Sequence, residues 1–409
     1  MGRPRKIRLE QDLANIKRDP IQILAGMKDI LSEDRKYWDF IVEKVEKLCQ
    51  YYGFKRIDTP ILEDVSLFER GTGKFTDVVE KEMYVFRDKS GKNIVLRPEA
   101  TPQIVRAYIE HGMKTWSQPV KLYWIGPLFR YSRPQKGRLR EFHQFNFEAI
   151  GSESPGQDAE IILLAWNIYK ELGIRNLTIQ VNSIGCPDCR AKYIAILKDY
   201  YRGNRAKLCS DCKRRLEKNP LRLLDCKEEK CVRLANKAPQ IIDNLCDNCH
   251  EHFKSILELL DELNLPYILN PRLVRGLDYY TRTVFEIWPE EEKAQSALGG
   301  GGRYDRLVEE LGGEPTPAVG FAGGVERIIL KMKEQGTDVP ERVRPRVFLA
   351  QLGELAKKKA MKLFEEFRTN GIPIGTSFGK DSIKSQLKLA DKIGAVSYTH
   401  LTLPTICSV

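Results

Sequence analysis

The segment EFHQFNFEAIG, residues 141–151, alternates polar and apolar residues with a period of two, which predicts a β-strand. Successive side chains of a strand point to opposite faces of the sheet, so one face carries Gln144, Asn146 and Glu148. The other face carries His143, Phe145, Phe147 and Ala149. Two amides and a carboxylate within an aromatic strand indicate a face that contacts a polar ligand. The alternative is the solvated side of an antiparallel sheet.

A second stretch, LVRGLDYYTRTVFEI at residues 273–287, has the β-branched and aromatic composition of a strand but begins with charged residues. Arg275 and Asp278 stand beside the adjacent pair Tyr279 and Tyr280, where this strand would start. A glycine turn at the entry to an edge strand would explain the pattern without a function. The functional interpretation is a charged group placed at the end of a sheet to meet an anion.

Basic residues cluster in the loop before the first of these strands: Arg130, Arg133, Lys136, Arg138 and Arg140. Such a cluster suits phosphates, which arginine binds through its forked guanidinium group, although a solvated hairpin tip has the same composition. Arg327 is predicted in the first turn of the helix after GFAGG, which we interpret as a glycine-rich turn. Free backbone N–H groups at a helix start also favour anions. The glycine run at residues 299–302 stands in a strand-like segment and is a weak signal by itself, because tight turns alone would explain it.

The segment LRPEAT places a carboxylate, Glu99, and a hydroxyl, Thr101, at another predicted strand end. Neither a phosphate-binding Walker loop nor a convincing nucleophile–base pair accompanies these residues. Arginines for phosphates, together with carboxylates for a cationic small molecule, indicate phosphate activation without a covalent enzyme intermediate. Catalysis would then depend on positioned charge that stabilises the transition state.

Eight of the ten cysteines lie in one internal segment as four close pairs: Cys186 and Cys189, Cys209 and Cys212, Cys226 and Cys231, Cys246 and Cys249. Three pairs have the C-x2-C spacing that lets two thiolates reach one tetrahedral ion, so the segment predicts two zinc sites of four thiolates each. A set of reduced cysteines in a small helical lobe is the alternative. No secretory signal precedes them, which favours reduced thiols and a cytoplasmic location.

Five motifs of this sequence occur in the order in which they occur in the histidyl-tRNA synthetases, a family of class II aminoacyl-tRNA synthetases that the chain resembles. Its two histidine-specific signatures are matched by RGLDYYT and GGGRYD, and its class motifs by the Pro60 region, FRYSRPQKGRLREFHQF and GFAGGVER. The match runs from Gly26 to Ala395. Departures are Ser132, where the family usually has an acidic residue that helps to place the adenine or the tRNA end, and LAGMKDILS near the N-terminus.

The resemblance implies an α+β fold: a class II catalytic core with an antiparallel sheet flanked by helices, a Cys-rich helical insertion and a partial C-terminal α/β domain. The expected segments are a basic tail (1–22), the core (23–335) with the insertion inside it (186–264), a linker (336–344), a partial anticodon-binding domain (345–395) and an anomalous tail (396–409). The last segment, VSYTHLTLPTICSV, resembles foreign sequence or a short strand. We expect the partial domain to be poorly ordered, and tRNA charging to suffer more than histidine activation.

Residue roles follow from the same resemblance. Glu99, Thr101 and Gln144 would hold the α-amino group of histidine, and Glu148, Tyr279 and Tyr280 would line the imidazole pocket. Arg130 and Arg327 would bind ATP phosphates, and Arg275 would sit beside the α-phosphate. The implied partners and ligands are L-histidine, ATP, Mg²⁺, histidine tRNA and a second copy of the chain, which would dimerise through the Pro60 region.

Two other functions fit parts of the sequence. A non-catalytic paralogue that regulates the first phosphoribosyl transfer of histidine biosynthesis would be expected to lose the ATP-binding arginines, yet Arg130, Arg275 and Arg327 are present. A purely RNA-binding protein would suit the formal net charge of +11 but leaves Gln144 and Glu148 unexplained. No run approaches the ~18 consecutive apolar residues of a membrane span, so no membrane partner is expected.

Overall fold

The computed structural model describes residues 20–290, 297–340, 345, 347–379, 382–395 and 397–401. Its helices are Ser32–Tyr51 (α1), Val65–Gly71 (α2), Thr101–Glu110 (α3), Pro155–Glu171 (α4), Pro187–Gly203 (α5), Ser210–Lys218 (α6), Glu229–Ala235 (α7), Asp247–Glu262 (α8), Leu307–Glu310 (α9), Val325–Glu334 (α10), Glu354–Thr369 (α11) and Ile383–Lys392 (α12). Its strands are Lys55–Arg56 (β1), Leu62–Asp64 (β2), Tyr84–Arg87 (β3), Asn93–Leu96 (β4), Val120–Phe129 (β5), Glu141–Ile150 (β6), Leu177–Ser183 (β7), Tyr267–Leu269 (β8), Thr281–Pro289 (β9), Gly299–Arg303 (β10), Ala318–Gly324 (β11), Val347–Gln351 (β12), Ile374–Thr376 (β13) and Ser397–Leu401 (β14).

The chain divides into two compact units, Met1–Asp338 and Val339–Val409. The first unit is built on a sheet whose described strands follow the order β1-β5-β6-β11-β10-β9-β7-β8. Its neighbours pair antiparallel except at the two edges, where β1 with β5 and β7 with β8 are parallel. The α+β fold with a mostly antiparallel sheet, expected from the resemblance, is therefore confirmed.

The strand β6 lies inside this sheet and separates two environments, as its alternation predicted. Phe145 and Phe147 pack with Phe321 of β11, and the Phe147 and Phe321 ring centroids lie 5.2 Å apart. Helix α4 covers this apolar side of the sheet and packs in turn against α1 and α8. The opposite side, which carries Gln144 and Glu148, is left for polar groups.

Two glycine-rich segments are central strands, which corrects the turn expected at GFAGG and excludes the alternative of turns at residues 299–302. The run at residues 299–302 belongs to β10 and the GFAGG segment to β11, and these strands pair antiparallel. A Cβ at Gly300 would overlap the Arg275 guanidinium, and a Cβ at Gly320 would overlap the Glu148 carboxylate. Glycine is therefore required because functional side chains of neighbouring elements occupy the space above these strands.

The strand expected at residues 273–287 is wrong at its start, because β9 begins only at Thr281. The segment before it forms a loop whose backbone bonds to groups outside the sheet. The Asp278 N–H donates to the Thr72 carbonyl at 3.2 Å. Arg190 of α5 donates to the carbonyls of Asp278 and Tyr280, at 3.3 and 2.7 Å. These partners hold the RGLDYY segment over the end of the sheet instead of within it.

The predicted Cys-rich insertion is helical, as expected, and connects β7 to β8 through α5, α6, α7 and α8. Its last helix, α8, packs on α4 and so covers the main sheet. A smaller sheet of order β2-β4-β3 lies next to the Pro60 region. None of the helices in the described residues is long and apolar enough to cross a membrane.

The second unit contains a parallel sheet of order β13-β12-β14, with Phe348 and Ala350 of β12 and Ala390 of α12 buried together. Part of the tail expected to be anomalous thus forms a strand, Ser397–Leu401, beside β12. Residue 396, residues 402–409 and most of the basic N-terminal tail lie outside the described residues. The partial anticodon-binding domain over residues 345–395 stays a prediction.

Candidate active site

The polar side of the main sheet borders two cavities. The first has a volume of about 520 Å³ and is lined by eight of the predicted site residues: Glu99, Thr101, Arg130, Gln144, Glu148, Arg275, Tyr279 and Tyr280. The second has a volume of about 390 Å³ and contains the ninth, Arg327. Three of these nine residues line both cavities, namely Arg130, Gln144 and Arg275. The structure thus brings together residues that are up to 228 positions apart, from Glu99 to Arg327.

Glu148 is the most enclosed carboxylate of the first cavity. Thr101 Oγ1 donates to its Oε1 at 2.7 Å, and the Tyr304 hydroxyl donates to its Oε2 at 2.5 Å. Asn146 Nδ2 adds a longer contact of 3.4 Å. Burial raises the pKa of Glu148 to about 7, although these donors oppose the shift. The arrangement fixes an acceptor that carries a partial negative charge at neutral pH.

Tyr304 was not among the predicted site residues. It lies directly after β10, within the GGGRYD signature, and its ring packs against Tyr279 with centroids 5.7 Å apart. The GGGRYD signature indicated that this position matters. No sequence rule shows, however, that a tyrosine directly after a glycine-rich strand contacts a glutamate 156 positions away. Its hydroxyl fixes the orientation of the Glu148 carboxylate.

Only one of the two carboxylate oxygens of Glu99 has a hydrogen-bond partner. The Tyr279 hydroxyl donates to its Oε1 at 2.6 Å, whereas Oε2 is buried without a hydrogen-bond partner. Burial raises the pKa of Glu99, and the positive charge of Arg130 opposes that shift. A buried, unpartnered carboxylate oxygen costs free energy unless a donor reaches it, so this oxygen is suited to a cationic ligand group.

Arg275 is held between an acid and an aromatic ring. It forms an ion pair with Glu286 of β9, whose other oxygen accepts from the Trp288 indole N–H at 2.9 Å. Its guanidinium carbon lies 5.6 Å from the Tyr280 ring centroid. Burial works against its charge, but the Glu286 carboxylate raises the pKa of Arg275 above its usual value. Its Nε is buried without a partner, so the cation retains a free donor.

Arg130 and Arg327 supply two more cations from different elements. Arg130 Nε donates to the Pro98 carbonyl at 2.8 Å, and its guanidinium lies 5.3 Å from the Phe142 ring centroid. Arg327, in the first turn of α10, donates to the carbonyls of Gly137 and Ala297 at 3.2 and 2.9 Å. Burial lowers the pKa of both arginines. Within the described residues neither arginine forms an ion pair with a carboxylate, and their hydrogen-bond partners are neutral carbonyls, so both remain available to an anionic ligand.

The eight insertion cysteines form two groups. We name Cys186, Cys189, Cys246 and Cys249 the first cysteine cluster, and Cys209, Cys212, Cys226 and Cys231 the second cysteine cluster. All four sulfur atoms of each cluster lie within 4.8 Å of one another, and measured Sγ–Sγ distances are 3.5 Å for Cys186–Cys189 and 3.9 Å for Cys209–Cys226. Four thiolates at about 2.3 Å from one zinc ion are about 3.8 Å apart. The spacing fits two tetrahedral sites.

Three of the four pairs begin a helix. Cys186, Cys209 and Cys246 are the residues directly before α5, α6 and α8. Free backbone N–H groups at a helix start stabilise a thiolate, which is the form that binds metal. The backbone N–H of Cys249 lowers the pKa of Cys246 to about 7 in this way. Burial instead raises the pKa of the second cysteine of these pairs, Cys189, Cys212 and Cys249, so the argument for metal sites rests on the grouping of the sulfur atoms.

A mostly antiparallel sheet with arginines and carboxylates on one face and helices on the other defines a class II aminoacyl-tRNA synthetase core. The family model described as histidyl-tRNA synthetase matches residues 26–328. The chain belongs to the histidyl-tRNA synthetase family. It is 53% identical to the histidine–tRNA ligase of Dehalococcoides mccartyi over 370 residues, which are 90% of this chain and 88% of that relative.

Other comparisons agree. The histidine–tRNA ligase of Halothermothrix orenii is 49% identical over 91% of this chain and 89% of its own length. The crystal structure of apo S. aureus histidyl-tRNA synthetase has a TM-score of 0.77 and 37% identity, covering 93% of this chain and 91% of that one. A Bacillus halodurans structure described as an ATP phosphoribosyltransferase regulatory subunit/histidyl-tRNA synthetase has a TM-score of 0.68 at 20% identity, which shows the shared fold alone.

Proposed function

We propose that this protein activates L-histidine with ATP to form histidyl-adenylate and then transfers histidine to the 3′ end of histidine tRNA. The observation that carries the proposal is the convergence of two buried carboxylates, Glu99 and Glu148, with Arg130 and Arg275 on one cavity. Such a site holds an amino acid with a cationic or N–H-rich side chain next to an anion. Family membership identifies the amino acid as histidine.

The first cavity is the proposed histidine site. The free Oε2 of Glu99 accepts the α-ammonium group of histidine, assisted by Thr101 and Gln144. Glu148 accepts an N–H of the imidazole ring, while Tyr279 and Tyr280 form the wall of that pocket. The fixed hydrogen bonds to Glu148 support this assignment, because a held acceptor selects a ring with an N–H at one position.

The second cavity is the proposed ATP site. Arg130 and Arg327 bind the phosphates, and Arg275 lies where the two cavities meet, beside the α-phosphate. An oxygen of the histidine carboxylate attacks the α-phosphorus, the bond to the bridging oxygen breaks, and pyrophosphate leaves with the electron pair. Negative charge spreads over the phosphoryl oxygens during this step, and the three half-buried arginines stabilise it.

Mg²⁺ accompanies ATP in this proposal. Three carboxylates among the described lining of the second cavity, Asp225, Glu286 and Glu326, already pair with cations or accept an N–H group. Because these carboxylates are already engaged, Mg²⁺ would be coordinated mainly by the ATP phosphates and by water, with few protein ligands. This small, strongly hydrated cation usually binds in that way. The ion supplies further neutralisation of phosphate charge.

We also propose that the two cysteine clusters each bind one zinc ion. The clustering of all eight thiols around two points supports this assignment. The described cysteines are free of disulfides, which fits a protein that works in a reducing cytoplasm. Zinc here is structural, because four thiolates leave no open coordination position.

A homodimer is proposed as the working form, with contact through the Pro60 region. Ile61, Leu62, Val85 and Phe86 of this region and its small sheet are between 44% and 47% exposed, so large apolar side chains are available for burial there. The tRNA would approach a chain whose formal charge is +11. Residues 345–395, which belong to the second unit, are the proposed anticodon-binding part.

The regulatory paralogue is the less favoured function. Such a protein has no need of cations at an ATP site, whereas the half-buried Arg130, Arg275 and Arg327 line the cavities here. The deciding experiment is ATP–pyrophosphate exchange with each of the twenty amino acids. We expect exchange with histidine alone; absence of exchange with every amino acid would favour the regulatory function.

The Glu148→Gln variant tests the histidine pocket. The amide replaces a charged acceptor of the imidazole N–H, and charged hydrogen bonds contribute about 1.5–3 kcal/mol, so KM for histidine should rise about 10–100-fold. KM for ATP should hardly change. Tyr304→Phe is the matched variant, since it removes only the hydroxyl that orients Glu148, and a smaller rise is expected. Equal effects on both KM values would place Glu148 outside the histidine pocket.

A further inference from the structure

The second cysteine cluster lies at the edge of the cavities and not at a distance from them. Cys209 and Cys226 themselves line the first cavity. Asp225 and Lys227, on either side of Cys226, line both cavities. A metal ion on this cluster would therefore fix a piece of the active-site wall.

The segment between the two cysteine pairs of this cluster contacts the loop between α2 and β3, in which Val78–Glu82 forms a short π-helix. Arg215 of α6 and Arg222 reach Asp77, at 3.5 and 3.4 Å. Lys218 reaches Glu80 at 3.4 Å. Three separate cations thus tie the insertion to residues 77–80, and Asp77 is part of the lining of the first cavity.

The same segment holds the loop that carries the two tyrosines. Asn219 Nδ2 donates to Asp278 Oδ1 at 2.8 Å, one residue before Tyr279. The backbone N–H of Asp278 in turn bonds to Thr72. Arg222 lies against Gly276, where a Cβ would be 2.8 Å from its Nη1. The insertion therefore contacts both loops that border the histidine pocket and links them.

We propose that a zinc ion on the second cysteine cluster positions this segment over the histidine pocket, so that the metal is required for histidine activation itself. The inference rests on the proposed function. The helices that carry the cysteines, α6 and α7, have nine and seven residues, and helices this short have little stability alone. Four metal–sulfur bonds would fix their mutual position, and Asn219, Arg215 and Arg222 would transmit it to the two loops.

The first test compares the parent chain with Cys226→Ser/Cys231→Ser, both purified without chelator. Zinc analysis should give about two ions per parent chain and about one per variant. Histidine-dependent pyrophosphate exchange should fall by about 10–100-fold, because couplings between two sites of a protein typically have effects in this range. Amide hydrogen exchange should accelerate over residues 72–80 and 275–280. A variant that loses one zinc but keeps the parent's exchange rate overturns the proposal.

A second test leaves the cysteines intact. Arg215→Ala/Asn219→Ala removes contacts to both loops, and it should keep both zinc ions while losing about tenfold in exchange rate. Arg214→Ala is the matched control, because Arg214 pairs with Asp211 inside its own helix. Should the cysteine variant fail to fold, parent-level exchange in Arg215→Ala/Asn219→Ala overturns the proposal. If the parent itself lacks exchange, the proposed function fails and the requirement for activation fails with it, whereas zinc content with hydrogen exchange still decides whether the metal positions the two loops.

Discussion

Replacing Arg275 with alanine is expected to slow histidine-dependent pyrophosphate exchange by about 10²–10³-fold, the usual effect of removing one group that stabilises transition-state charge. The Kd for histidine should change far less, because Arg275 lies where the two cavities meet and its buried Nε is free to bind an oxyanion. A residue whose interaction strengthens only as charge develops affects the rate and hardly affects ground-state binding. Exchange kinetics and equilibrium dialysis with histidine measure the two quantities.

The ion pair with Glu286 provides the control for this prediction. Arg275→Ala leaves the Glu286 carboxylate in a buried position without its cation, and that alone could disturb the site. The double variant Arg275→Ala/Glu286→Gln removes the stranded charge while an amide oxygen remains for the Trp288 indole. We expect the double variant to stay as slow as the single one. Recovery of the rate, or equal losses in rate and histidine affinity, would show that Arg275 acts only as an anchor.

Local sequence patterns predicted the structure correctly where the conformation depends on which face of a single strand or helix is buried. The period of two in β6 predicted both the strand and its polar face, because a strand inside a sheet with one apolar side must direct alternate residues away from that side. The helix start beside Arg327 followed from the glycine-rich segment before it. Cysteine spacing indicated four pairs, and it left open how they combine, since that depends on which helix starts meet in space.

The errors arose where partners from distant parts of the chain decide the conformation. The RGLDYY segment has strand composition, yet bonds from Arg190 and to Thr72 hold it as a loop. Tyr304 was missed because it acts by orienting Glu148, 156 positions away in the sequence, and Glu286 was missed because it acts through its ion pair with Arg275. Glycine-rich stretches normally indicate turns, whereas the space beside the glycines of β10 and β11 is filled by neighbouring groups: the Arg275 side chain at Gly300, the Glu148 side chain at Gly320 and the Phe145 ring at Gly323.

The substitution Gly320→Ala is expected to abolish most histidine binding, with KM raised at least about 100-fold, through a single added methyl group. Gly320 pairs with Glu148 across β11 and β6, and its Cβ would overlap the Glu148 carboxylate while lying 2.9 Å from the Phe147 carbonyl oxygen. The strand cannot retreat, because β10 pairs with its other side. The Glu148 side chain must therefore leave the position in which Thr101 and Tyr304 hold it.

Two variants separate this effect from a general loss of stability. Gly203→Ala adds the same methyl group at a helix end where nothing lies within 4 Å, and it should leave histidine kinetics unchanged. Gly320→Ala/Glu148→Asp shortens the displaced side chain and should recover part of the histidine affinity, because the carboxylate no longer needs the occupied space. Steady-state exchange kinetics with thermal unfolding curves measure both. Wild-type KM in Gly320→Ala would mean that the orientation of Glu148 does not matter for binding, since the added methyl group makes its present position impossible.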